Sequence, residues 1–483
     1  MPVIHTNRPD LWLTRFALAS LLFVGTSVIS GCERDAGSET PTATAETNLI
    51  QSDAVLVKDI VAASLGESSL AAEISVNSVR PNILIIVADD LGWGDVGYNE
   101  SEINTPNLDA LANEGLQLDR FYTFPFCSLT RAAFMTGRQP LRMNVKGPIS
   151  AGKPKPPLDE MFISEVFSKE GYQTWMIGKW HLGGERSIRY RPNERGFDSF
   201  YGHIGGGVDH YEHTHWKNKK HDWFVGGRRA KVNGYTTSLL TDEAIRKIKQ
   251  RDQHNPFFLY LSYSAPHEPI QAPPEYVEKY AHIKSDLRRR YAAMVDFMDM
   301  SVGRVIALLE SEGLTENTLV LFMSDNGGTH SGGASNAPLK GQKGGYYEGG
   351  VRVPAIIKWP ESIVSGEKSQ RMITVLDLFP TLMQAANIDL QPTPLFDGRS
   401  MWGRLTSEAD ASDAIALLIA EDRGALWSGG FKLLMRPASE PELYNSVNDP
   451  QETHDLSGEY ALKLDELSSL FKARVEEYKE SRP

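Results

Sequence analysis

The chain reads as an α/β protein, with a large, mostly parallel sheet flanked by helices over residues 80–397 and a smaller α+β subdomain over 398–483. Three observations predict this. Short apolar runs rich in Ile, Leu, Val and Phe alternate with stretches at helical spacing, as buried parallel strands and their crossover helices do. Each run stops at polar residues able to do chemistry, which suits an open sheet whose ligands gather beyond the carboxyl ends of its strands. After Asp397-Gly398 the runs shorten and turn residues crowd in, the pattern of a small separate unit.

Taken in order, residues 1–31 read as an export signal: Arg8 and Arg15 precede the apolar run Phe16–Val24, which is too short for a stop-transfer helix. Ile29-Ser-Gly-Cys32 resembles the lipobox of bacterial lipoproteins, so Cys32 is expected to carry a lipid anchor to a membrane. Glu33 rather than Asp at the next position points, by analogy, to the periplasmic or cell-surface side of a bacterial outer membrane. Residues 32–79, rich in Ser, Thr, Ala and Glu, read as a flexible tether with a helical stretch over Asp53–Glu73.

Pro81–Ala88 is a continuous Ile/Val run bounded by proline, hence a strand buried on both faces, and it ends in Asp89-Asp90. Pro106–Gly115 is an amphipathic helix stopped by glycine. Phe124–Arg138 holds Cys127 at the first turn of a helix that Gly137 closes, with Arg131 one turn on. Then follow Ile163–Lys169 as helix, Gln173–Gly178 as strand, Thr241–Arg251 as helix, Phe257–Tyr263 as strand, Leu287–Glu312 as a long helix and Thr318–Met323 as strand. In the last unit Ala416–Ala420, Gly430–Met435 and Glu442–Asn445 read as short strands, Asn448-Asp-Pro450 as a turn and Leu462–Glu480 as a closing helix.

The 483 residues carry a net charge of −12, which argues against nucleic acid as a partner and requires local positive charge around any anionic substrate. With Cys32 acylated, Cys127 is the one remaining cysteine and no disulfide framework exists. A lone thiol at the positive end of a helix beside an arginine is either a packing cysteine or a reactive one. Asp89, Asp90, Asp325 and Asn326, in two pairs at strand ends, form an all-oxygen set suited to a hard cation such as Ca2+ or Mg2+. Lys179-Trp-His181, His267 and Lys343 add cations and imidazoles at other strand ends and on a glycine-rich loop that also holds Lys340. The histidines from His203 to His215 match no zinc spacing and read as a pocket loop. They run into Trp216–Lys220 and Gly227–Lys231, a mixed aromatic and basic stretch that is either a solvated face or the patch that meets a glycan.

These residues carry a resemblance covering nearly everything from Arg80 onward: Pro81–Asp90, Cys127-Ser-Leu-Thr-Arg131 with Thr136-Gly-Arg138, Gly178–Gly183, Ser324–Gly328 and Lys343–Arg352 are similar to the type I sulfatases of the alkaline phosphatase superfamily. Around His267-Glu-Pro269, Tyr291–Met294 and Lys340–Arg352 the likeness is to arylsulfatase B, an N-acetylgalactosamine-4-sulfatase. The resemblance implies hydrolysis of a sulfate ester on a sulfated carbohydrate. It further implies that a maturation enzyme oxidises Cys127 to formylglycine, and that Asp89, Asp90, Asp325, Asn326 and residue 127 hold one Ca2+. Arg131 and His181 would orient the nucleophile and help break down the hemiacetal sulfate, Lys179 and Lys343 would bind sulfate oxygens, and His267 would protonate the leaving alcohol or sit close to it. The family core is Cys, any residue, Pro or Ala, any residue, Arg; here Leu129 stands in the middle, which bears on conversion. The rival readings are a phosphatase or phosphodiesterase of the same superfamily, and a catalytically silent lipoprotein that binds sulfated glycans.

Overall fold

The computed structural model describes residues 80–150, 152–391, 395–406 and 416–481. The expected export signal, acylated Cys32 and tether lie outside the described residues.

The strand Asn82–Ala88 is the centre of a ten-stranded sheet because every one of its residues is apolar or satisfied and none needs water. It pairs in parallel with Phe257–Ser262 on one side and Thr318–Ser324 on the other. Gln173–Lys179 and Ser199–His203 continue the parallel run beyond Phe257–Ser262. Ala355–Lys358 flanks Thr318–Ser324 antiparallel, with Leu116–Leu118 and Glu367–Ser369 outside it, and the short Phe224–Val225 and Arg228–Arg229 close the opposite edge.

Alternation along the central strand feeds two cores. Ile83, Ile85 and Val87 pack with the helix Cys127–Thr136 and its neighbours, whereas Leu84, Ile86 and Ala88 pack with Pro106–Glu114, Thr236–Lys249 and Asp286–Ser311. The helix expected at Thr241–Arg251 therefore starts earlier than the sequence suggests: Thr236, Thr237 and Leu240 are buried, and that packing outweighs the weak helix propensity of the threonines.

One buried carboxylate joins two of these helices. Asp299 of the long helix accepts from Asn107 N at 3.1 Å, Asn107 Nδ2 at 2.7 Å and Leu108 N at 2.7 Å, so it caps the otherwise unsatisfied N-terminus of Pro106–Glu114. Burial pushes its carboxyl up to about 6 despite those donors. A folded value above the unfolded one means that its contribution is fully present below pH 3.8 and fades as pH rises through about 6. Asp299→Ala should cost about 2 kcal/mol in denaturant unfolding at pH 4.5 and visibly less at pH 7.5. A cost that grew with pH would contradict this assignment.

The last unit is a four-stranded antiparallel meander, Ala416–Ala420, Arg423–Ser428, Phe431–Met435 and Glu442–Asn445, covered by Ala461–Glu480 through Leu467, Phe471 and Val475. Its second strand is not legible from the sequence, since Gly424 interrupts the pattern. The structure gives the reason: a Cβ there would stand 2.4 Å from Leu418 O and 2.9 Å from Phe471 Cε2. Lys432 is wholly buried between Glu348 and Glu452, and Lys340 reaches Tyr444 and Glu452 O. The small sheet thus buttresses the glycine-rich loop that carries Lys343.

Candidate active site

The carboxyl ends of four strands deliver the candidate residues to one crevice. Asp89 and Asp90 follow the central strand, and Asp325 and Asn326 follow its neighbour, so strand pairing alone sets the two pairs side by side. Asp90, in the left-handed region at φ 68°, donates its N–H to Asp325 Oδ1 at 3.3 Å, and Asn326 Nδ2 donates to Asp90 Oδ1 at 2.7 Å. Lys179, the last residue of its strand, places Nζ 2.6 Å from Asp89 Oδ2 with both side chains sealed from water. Lys343 Nζ bridges both oxygens of Asp90 at 2.6 and 2.7 Å, and His267 Nε2 lies 3.8 Å from Asp90 Oδ2.

Cys127 is the first residue of its helix, which Gly137 ends at φ 65°; a Cβ at 137 would meet Phe396 at 2.6 Å. Its Sγ lies 3.2 Å from His181 Nδ1. His181 Nε2 faces Ile149 O at 2.9 Å, and that carbonyl can only accept, so Nε2 carries the proton and Nδ1 faces Sγ with a lone pair. Burial, then Lys179 and Arg131, hold this imidazole well below its ordinary value and therefore neutral. Burial likewise pushes the Cys127 thiol up, against the pull of Lys179 and Lys343.

Arg131, expected to help orient the nucleophile, makes its hydrogen bonds to the residues around Cys127. Its Nε and Nη2 fork onto Asp325 Oδ2 at 3.1 and 2.7 Å, and its Nη1 donates to Lys179 O and Ser262 Oγ. Four of its five N–H groups are taken up away from Sγ, so it fixes Asp325 and the end of the Lys179 strand. Ser262 is the partner that sequence reasoning missed; its only signal is a hydroxyl at the end of an otherwise apolar strand. Tyr291 also acts here, since its hydroxyl bonds Asp90 O, Gly92 N and Asp95, holding the turn after Asp90. Lys340, on the same loop as Lys343, points instead to the small sheet.

The donor set fits a hard cation. Ligand atoms of Asp89, Cys127 and Asp325 lie within 4.8 Å of one another, as do those of Asp89, Asp90 and His267; these are the only such groups among the described residues. Asp89 Oδ1 and Asn326 Oδ1 are buried with no hydrogen-bond partner, which leaves two acceptor oxygens needing a positive partner. Burial drives Asp89 up to about 7 against the pull of Lys179, whereas for Asp90 burial is outweighed by Lys343, His267 and Lys179 acting together, which hold the carboxyl well below its usual range. Three carboxylates face three fixed cations, so a divalent ion held there would give the pocket a net positive charge inside an acidic protein.

Comparison with known proteins agrees with this geometry. The sulfatase family profile matches residues 81–388. The chain is similar to arylsulfatase J of Mus musculus, 33% identical over 76% of this chain and 64% of that protein. It is also similar to N-acetylgalactosamine-6-sulfatase of Mus musculus, 35% identical over 66% of this chain and 65% of that protein. The chain thus spans somewhat less than two thirds of the length of these curated relatives. Among solved structures, Ps i-CgsB in complex with k-i-k-neocarrahexaose superposes with a TM-score of 0.76 at 33% identity, covering 82% of this chain and 93% of that one. With a profile match over most of its length and relatives at this identity, the chain belongs to the sulfatase family.

Proposed function

We propose that the protein is a sulfuric ester hydrolase that removes sulfate from a sulfated carbohydrate, using formylglycine at residue 127 and one Ca2+. The observation that carries the reading is the cluster in which Cys127 Sγ sits on a helix N-terminus 3.2 Å from His181 Nδ1, beside Asp89 and Asp325. Asp89, Asp90, Asp325, Asn326 and residue 127 would hold the ion, which supplies Lewis-acid neutralisation of the developing charge. Lys179 and Lys343 would turn from the carboxylates they contact now onto sulfate oxygens. As a hydrated aldehyde, residue 127 would carry two hydroxyls on one carbon: one would pass its proton to the neighbouring Asp325 carboxylate as its oxygen bonds sulfur. The ester oxygen would leave with the Nε2 proton of His267, which keeps its Nδ1–H on Glu268 O at 2.6 Å and so must enter the reaction as the imidazolium, facing Asp90. The second hydroxyl then gives its proton to His181 Nδ1, the C=O bond reforms and sulfate departs.

The test is release of free sulfate from sulfated galactan and galactosamine oligosaccharides, set against phosphate release from phosphoesters. Phosphate release alone would support the superfamily rival, and glycan binding without turnover would support the silent lipoprotein. The arylsulfatase B-like choice of a 4-sulfate belongs to the same proposal, beside relatives named for a 6-sulfate and a neighbour holding a neocarrahexaose. A lipid on Cys32, placing the enzyme at an outer membrane, is checked by labelling with a fatty-acid probe, which Cys32→Ala should abolish.

Leu129 yields a prediction of its own. Its side chain is fully buried in the core on the helix face away from the crevice, so the folded site accommodates it. Only the extended chain that a maturation enzyme reads is burdened by it. Leu129→Ala should raise the fraction of aldehyde in the peptide Phe121–Arg131 while costing about 2–4 kcal/mol of stability. An unchanged aldehyde fraction would show that position 129 does not limit conversion.

A further inference from the structure

The residues assigned so far handle the sulfate and leave the sugar unheld. Beyond the strand Ser199–His203 the chain runs as Ile204-Gly-Gly-Gly207 along the crevice. A Cβ on Gly206 would stand 2.7 Å from His181 Cε1, and one on Gly207 would stand 3.0 Å from His267 Cε1 and 2.9 Å from Trp216 Cδ1. Successive glycines therefore touch first the imidazole bonded to Cys127, then the imidazole beside Asp90 together with an indole. Three glycines in a row destabilise a segment entropically, and here the absence of side chains lets both imidazoles and the indole pack directly against the backbone. Asp222 fixes the ribbon by accepting from Ile204 N at 3.4 Å and Gly205 N at 2.8 Å.

Trp216 meets His267 edge-on, with ring centroids 6.0 Å apart and planes at 80°. It is half-buried and belongs to none of the hydrophobic clusters among the described residues. Nζ of the exposed Lys217 lies over the ring, 4.5 Å from its centroid, so the indole is covered there by a flexible surface side chain that a ligand would displace. Glu185 contributes an oxygen, Oε2, that is buried without a hydrogen-bond partner. That carboxyl lies within the electrostatic reach of Asp222 and His215, the side chains flanking Gly205. A half-buried indole next to the proposed proton donor, a bare backbone ribbon and an unpartnered buried acceptor are the parts of a pyranose site: the sugar's C–H face needs an apolar plate, and its hydroxyls need acceptors.

We infer that Gly205–Gly207, Trp216 and Glu185 form the subsite for the sugar ring bearing the sulfate, with Trp216 as its stacking platform and Glu185 as a hydroxyl acceptor. This rests on the sulfatase reading and adds a specificity determinant to it. The experiment is calorimetric titration in the Cys127→Ala background, so that nothing turns over, with three probes: a carrageenan tetrasaccharide, a chondroitin sulfate tetrasaccharide and inorganic sulfate. Trp216→Ala should weaken whichever tetrasaccharide the parent binds by tenfold or more, with a much smaller effect on inorganic sulfate. Trp216→Phe, which keeps an aromatic plate, should lose less than threefold, and Glu185→Gln should lose several-fold. Tetrasaccharide affinity within twofold of the parent in Trp216→Ala overturns the platform, as does an equal loss for inorganic sulfate, which would mark a general disturbance. A parent that binds inorganic sulfate but neither tetrasaccharide also overturns the subsite. A parent that binds none of the three fails the sulfatase reading itself.

Discussion

Cys127→Ala is expected to abolish sulfate release, a loss on the order of 10^4-fold or more, as when a nucleophile is removed from a site that works as a unit. The reason is stoichiometric: the proposed chemistry needs two oxygens on the β-carbon of residue 127, and alanine offers a methyl group. The unconverted thiol is no substitute. Burial keeps it protonated at neutral pH, and a sulfur nucleophile carries no second hydroxyl with which to expel sulfate. The fold should survive, because only one buried sulfur is deleted, at a cost of about 1 kcal/mol. Sulfate assayed by ion chromatography, a thermal melt and the mass of the Phe121–Arg131 peptide check this together. Turnover retained in the variant, or an intact thiol in a parent that turns over, would remove residue 127 from the reaction.

Much of the sheet was legible because buried parallel strands must be continuously apolar, and Pro81–Ala88, Phe257–Tyr263 and Thr318–Met323 are. The chemistry at the strand ends was legible for the same reason: Asp89-Asp90 and Asp325-Asn326 break the apolar pattern where a buried strand stops. What composition and periodicity do not carry is who sits beside whom. The Arg131 fork could be placed near Cys127 by helical spacing, yet its partner, Asp325, comes from 194 positions away and is fixed only by the sheet order. Lys340 and Lys343 are equivalent in sequence; positive φ at Gly341 and Gly344 sends one to the small sheet and the other to Asp90. Trp216 was legible only as part of an aromatic and basic stretch, because its contact with His267 depends on glycines that carry no hydrophobic signal.

Asp325→Ala should be the most damaging change for the folded state and for the proposed metal together. Asp325 has one oxygen on the Arg131 fork and the other on Asp90 N, and both ion-pair partners are almost completely sealed from water. Removing it leaves a buried guanidinium without its counter-charge, a loss of about 3–5 kcal/mol, and leaves Asp89 and Asp90 with one ligand fewer to share a cation. The parent should be stabilised by added Ca2+, by about 2.7 kcal/mol at a hundred times its dissociation constant, and the variant should gain little. The two losses can be separated. In Asp325→Leu combined with Arg131→Met the unpaired charge is gone and packing volume is kept, so most of the stability should return. The calcium response should not, because no apolar exchange restores an oxygen ligand. Thermal melts of the parent and both variants, with and without Ca2+, supply the six-way comparison. If the double variant regained the calcium shift, Asp325 would be a structural counter-ion to Arg131 alone and the ion would have to rest on Asp89, Asp90, Asn326 and residue 127.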